Sequence, residues 1–175
     1  MWLKVWGSLL VLAAGTAWGM AEARRLSART RTWRLFASGL SMLETEISYA
    51  LTSLPAAFQE VARRLPAGAV RSFFAECGAL LERGEGTTAG ECWRRAVESV
   101  LDPAASLKPE DREILLGIGG YLGLSDARDQ VRQLRLARER AGERERACRE
   151  EERQKGRLFC YVGFAFGALI VLVLI

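Results

Sequence analysis

The side chains that could do chemistry are few and poorly placed for it. The 175-residue chain contains no histidine, which removes the commonest general base and zinc ligand. Cys77, Cys92, Cys148 and Cys160 have no CxxC spacing, so neither a metal site nor a redox dithiol is expected. Glu44 and Glu46 invite an acid–base reading, but residues i and i+2 on a helix point roughly 200° apart and do not converge. The chain has no P-loop and no GxGxxG motif, so nucleotide binding has no support. Acidic residues interleave with the many arginines and no continuous basic stripe forms, which argues against nucleic acid. No catalytic, cofactor-binding or metal-binding residue is assigned, and the chain is not expected to be an enzyme.

The distribution of charge is more informative than its net value of +4. Every charged residue except Lys4 lies between Glu22 and Arg157. Val5 to Ala21 and Leu158 to Ile175 are uncharged, and each run spans roughly 25–27 Å as a helix, about the hydrocarbon thickness of a bilayer. Trp2, Trp6 and Trp18 lie around the first run, and Phe159 and Tyr161 open the second, as rings do at membrane interfaces. The expected organisation is a transmembrane helix over 1–23, a cytoplasmic helical domain over 24–157 and a second transmembrane helix over 158–175. Arg24, Arg25, Arg29, Arg31 and Arg34 follow the first run, and Arg149, Arg153, Lys155 and Arg157 precede the second. Both clusters put the middle in the cytoplasm and the two termini outside, by the positive-inside rule. Ala21-Glu22-Ala23 resembles a signal cleavage site, although export would drag the first arginine cluster across the membrane. Gly15-x-x-x-Gly19 and Gly163-x-x-x-Gly167 are candidate helix-packing sites.

The middle shows helical spacing throughout and no sustained period-2 alternation. Trp33, Phe36, Leu40, Leu43, Ile47 and Leu51 form a core-facing stripe on a long first helix. Ser53-Leu54-Pro55 opens a short helix to Arg64, and Pro66 interrupts it. A third helix is expected over 67–81, closed by Gly84-Glu85-Gly86. Thr87 or Thr88 caps a fourth, bearing Cys92, Trp93, Ala96 and Val97, which ends at Asp102-Pro103. Pro109, Glu110 and Asp111 suit the first turn of a fifth. Ser125-Asp126 starts the last helix. Its stretch from Glu139 to Arg157 reads as a solvated or partner-facing surface, with Glu145–Arg149 and Glu151–Lys155 at the favoured i,i+4 spacing. The fold class is all-α: six helices, the first and last continuous with the terminal membrane helices. Trp33, Phe58, Phe73, Phe74 and Trp93 are expected in the core.

Several strings in order resemble the stage III sporulation protein AB family of endospore-forming bacteria. They are Leu43-Glu44-x-Glu46-Ile47-x-Tyr49, Thr52-x-Leu54-Pro55-x-Ala57-Phe58, Trp93, Lys108-x-Glu110-Asp111, and Leu122-Gly123-x-Ser125-Asp126 with Gln130. Ser53 departs from the family, where a proline is more frequent. The resemblance implies a cytoplasmic bundle similar to the F-type platform domain of type II secretion and type IV pilus systems. It implies a place in the mother-cell membrane around the forespore. The partners it implies are the sporulation AA protein, which is similar to secretion ATPases, and other stage III A channel proteins. Apart from the resemblance, anionic membrane lipid is expected at Arg24 to Arg34, and further copies of the chain are expected as well. Glu44, Glu46, Tyr49, Ser125, Asp126 and Asp129 are the candidate ATPase contacts. The alternative is a membrane-anchored scaffold or sensor that recruits a cytoplasmic regulatory partner and has no secretion role.

Overall fold

A computed structural model describes residues 2–48, 53–84, 88–101, 105–120, 122 and 127–174, with most side chains of 2–12 and 157–174 outside that description. Six helices and no strand occur among the described residues. They are α1 (Trp2–Ser48), α2 (Leu54–Arg64), α3 (Ala69–Arg83), α4 (Ala89–Ala96), α5 (Pro109–Gly119) and α6 (Ala127–Leu174). The chain forms two compact units: Arg31–Glu145, and Met1–Thr30 with Arg146–Ile175.

Local chemistry sets the helix ends of the first unit. Pro55 stands in the first turn of α2, where its missing N–H costs nothing. Ser53 occupies the N-cap, but its side chain makes no capping hydrogen bond. Gly84 ends α3 in the left-handed conformation at φ 63°, which is costly for a residue with a Cβ. Thr88 and Glu91 exchange hydrogen bonds in a capping box at the start of α4. After Ala96 the chain does not stop but widens into a π-helical turn, Val97–Leu101. The third helix begins at Ala69 rather than residue 67, because Gly68 lies at φ 146° and cannot be part of a helix.

The core of this unit is aromatic. Trp33, Phe36, Phe58, Phe73, Phe74 and Trp93 are all fully buried, as their spacing implies. Phe36 touches Phe73 at 5.6 Å, Phe74 at 5.8 Å and Trp93 at 5.6 Å between ring centroids. Trp93 meets Phe73 edge to face at 4.8 Å, a geometry that contributes about 0.5–1.5 kcal/mol beyond burial. Gly39 lets Phe74 lie against α1, since a Cβ there would come within 2.5 Å of the ring.

The charge-rich half of α6 is less solvated than its composition implies. Leu134, Ala137 and Ala141 are buried in the first unit, and Cys148 is buried in the second. Their three-, four- and seven-residue steps form a core stripe of mostly small residues, hidden in the sequence by the long charged neighbours. Among the described residues no helix is long and apolar enough to cross a membrane.

Candidate functional site

Glu44 and Glu46 sit one turn before the end of α1, and their side chains diverge as their spacing requires. In the Arg31–Glu145 unit, Glu44 Oε1 lies 3.3 Å from Arg135 Nε and Oε2 lies 3.2 Å from Arg138 Nη1. The second contact is ionic, without the alignment of a hydrogen bond. Arg135 and Arg138 stand at i and i+3 on α6, so one carboxylate bridges two cations on a single helical face. Glu46 turns to α2, where its Oε1 is 3.1 Å from Arg64 Nη2. Arg64 also donates through Nε to Glu60 Oε1 at 2.8 Å, and Arg63 pairs with the same carboxylate. The hydrogen bond from Arg64 holds the Glu60 carboxyl below its ordinary value, with both guanidinium charges adding to the effect.

Both glutamates are therefore covered by their own arginines. Their side chains are 12–13% exposed, against 60% for Arg135 and 51% for Arg64. In these pairs the exposed members are the guanidinium groups, not the carboxylates. No local pattern marks Arg64, Arg135 and Arg138 as partners of these glutamates, although the last two stand at a three-residue helical step. Asp129 is exposed in the first turn of α6, where an acid is favoured by the helix dipole. Tyr49, Ser125 and Asp126 lie outside the described residues.

Asp111 is a fully buried acid in this unit. It accepts the Lys108 backbone N–H at 2.9 Å and Arg144 Nε at 2.7 Å, while Arg144 also reaches Glu110 at 3.0 Å. The carboxylate thus caps α5 and anchors it to α6. The sequence predicted its place in the first turn, but not its partner 33 residues away. Arg34 and Glu145 pair at 3.3 Å. Together with the Glu44 bridge, this pair sets α1 and α6 antiparallel in this unit.

Burial pushes the Cys77 thiol well above its ordinary range, helped by Cys92 and Glu76 nearby. Cys77, Cys92 and Cys148 are all buried. No group of acids and cysteines able to hold a metal ion occurs among the described residues.

In the terminal unit, Arg29 Nη1 reaches Glu151 Oε2 at 2.7 Å, and Lys155 Nζ reaches the other oxygen at 2.9 Å. Leu10, Trp18, Met20, Leu158, Tyr161 and Val162 are exposed here. Gly19 is buried and Gly15 half-buried; Gly163 and Gly167 lie in α6, with their surroundings outside the described residues.

Comparison with known proteins agrees with this architecture. A family model described as stage III sporulation protein AB matches residues 4–175. The stage III sporulation protein AB of Bacillus subtilis (strain 168) is 29% identical over 172 residues, covering 98% of this chain and 99% of the relative. A solved structure of a stage III sporulation protein AB superposes with a TM-score of 0.65 at 28% identity, over 73% of this chain and 98% of that one.

Proposed function

The chain belongs to the stage III sporulation protein AB family, and on that premise we propose that it is a non-catalytic membrane platform of the sporulation channel. Membership carries a role in sporulation. The platform reading adds that Arg31–Glu145 docks a cytoplasmic secretion-type ATPase while the two chain ends sit in the mother-cell membrane around the forespore.

The observation that carries this reading is the contrast in exposed side chains between the two units. In the terminal unit Trp18, Met20, Leu158, Tyr161 and Val162 stand outward, which suits helices solvated by lipid and not by water. In the Arg31–Glu145 unit the exposed large hydrophobic among the described residues is Leu136, one position from Arg135 on α6. An isolated apolar side chain among guanidinium groups fits a docking patch for an acidic, partly apolar protein surface. The docking surface proposed here is Asp129, Arg135 and Leu136, with Glu44 holding Arg135 in place and Glu46 pairing with Arg64 on α2. Tyr49, Ser125 and Asp126 adjoin it in sequence. Gly15-x-x-x-Gly19 and Gly163-x-x-x-Gly167 supply close helix packing in the membrane, within one chain or between copies.

The test is cysteine crosslinking in membranes of sporulating cells, using Leu136→Cys in the full chain. A crosslink to the secretion-type ATPase that disappears when Arg135 is replaced by Glu is the expected result. Capture of soluble regulatory proteins in its place would support the scaffold or sensor alternative. Digestion of the middle region by a protease added outside intact cells would overturn both.

A further inference from the structure

Within the terminal unit, exposed side chains change from apolar to cationic along each helix. On α1, Trp18 and Met20 are followed by exposed Arg24 and Arg25. Met20 and Arg24 share a face, being one turn apart, and Trp18 and Arg25 share the next, being two turns apart. On α6 the order is reversed: exposed Arg153 and Lys155 precede exposed Leu158, Tyr161 and Val162. Lys155, Leu158 and Val162 lie at helical steps on one face.

The Arg29–Glu151 bridge brings the two transitions to one level. Residues 1–30 and 146–175 can form one compact unit with Arg29 beside Glu151 only if the helices are antiparallel. Equal steps outward from that bridge put Arg25 level with Lys155 and Trp18 level with Val162. The unit therefore carries a cationic band and, roughly 10 Å further along, an apolar band with a ring on each helix. Glu22 and Glu151 reach Arg25 and Lys155, whereas no ion pair is formed by Arg24 or Arg153 among the described residues.

We propose that this band is a binding collar for anionic phospholipid, with Arg24 and Arg153 contacting headgroup phosphates and Trp18 and Tyr161 resting at the interface. Charge complementarity selects the occupant. Exposed cations directly above an outward apolar surface match a negatively charged headgroup layer over acyl chains, and each such cation contributes favourably near an anionic leaflet. A water-soluble partner would leave the apolar band unsatisfied, and a neutral lipid would leave the cations without counter-charge. The collar rests on the membrane reading above and adds lipid selectivity to it.

The experiment places the full chain in mixed vesicles of phosphatidylcholine and phosphatidylglycerol, with bromine on the acyl chains of one lipid at a time. Quenching of the Trp18 emission is read as the difference from Trp18→Phe. Brominated phosphatidylglycerol is expected to quench beyond its share of the bilayer, by roughly fivefold at low salt. The excess is expected to fall toward onefold in Arg24→Gln/Arg153→Gln and to return in Arg24→Lys/Arg153→Lys. Equal quenching per mole by the two lipids overturns the collar and leaves the membrane reading standing. An excess that survives the glutamine substitutions overturns the assignment to these two arginines. No quenching by either lipid overturns both readings.

Discussion

Trp93 donates its indole N–H to the Leu115 carbonyl at 2.7 Å, which locks α4 onto the last turn of α5. The ring then lies so close to Gly119 that a Cβ there would fall 2.2 Å from Trp93 Cδ1. One fully buried side chain thus fixes a hydrogen bond, a helix crossing and the identity of a glycine. The arrangement explains why residue 119 is a glycine. The indole sits where a longer side chain at 119 would have to go.

Gly119→Ala should destabilise the chain by about 1–3 kcal/mol, the cost of forcing a methyl into a filled core. The loss is to be read from denaturant unfolding followed by tryptophan fluorescence. A neutral result would show that the α4–α5 contact is loose.

Trp93→Phe keeps a ring but leaves the Leu115 carbonyl without the indole, so a cost of about 1–3 kcal/mol is expected. Trp93→Ala adds a cavity and should cost about 3–5 kcal/mol. The gap between the two variants separates the hydrogen bond from the packing.

Arg29 is almost wholly buried against Glu151. Glu151→Gln should therefore cost about 2–3 kcal/mol, somewhat less than for a fully enclosed pair because Glu151 is partly exposed. Arg29→Met combined with Glu151→Met should recover part of that loss, since it removes the buried cation that Glu151 balances. A double-mutant cycle on thermal unfolding measures the coupling.

The Glu60 carboxyl should titrate below the ordinary glutamate value of 4.5, and Arg64→Gln should bring it back up. The sign follows from linkage. A depressed carboxylate contributes stability above the ordinary value, and that contribution is lost as pH falls through the lowered one. Side-chain NMR titration checks the position directly.

The Cys77 thiol, raised by burial, should resist alkylation at mildly alkaline pH in the folded chain and react on unfolding. Because the folded state holds the proton more tightly, stability should decline as pH rises past the ordinary thiol range. Mass spectrometry of native and unfolded samples after iodoacetamide treatment gives the comparison.

Much of the fold was legible because local rules were strong. Trp33, Phe36, Leu40, Leu43 and Ile47 repeat at helical steps, and all five are buried. Pro55, Gly84, Thr88 and Pro109 each mark a helix end for a backbone reason that needs no partner. The candidate site was only half legible. Glu44 and Glu46 stood out as charges, but their neighbours Arg135 and Arg64 lie 91 and 18 positions along the chain. No local pattern reports such distances.

What the amino-acid order determined by itself is the helical class, the helix ends and the segregation of charge away from both termini. These follow from backbone propensity and solvation, which act over a few residues. Only tertiary structure decided that Glu44 faces Arg135 and Arg138, that Asp111 anchors Arg144, and that Cys148 is buried within the most charged stretch of the chain. Those outcomes depend on which helix faces meet when the aromatic core closes, and close packing allows few solutions.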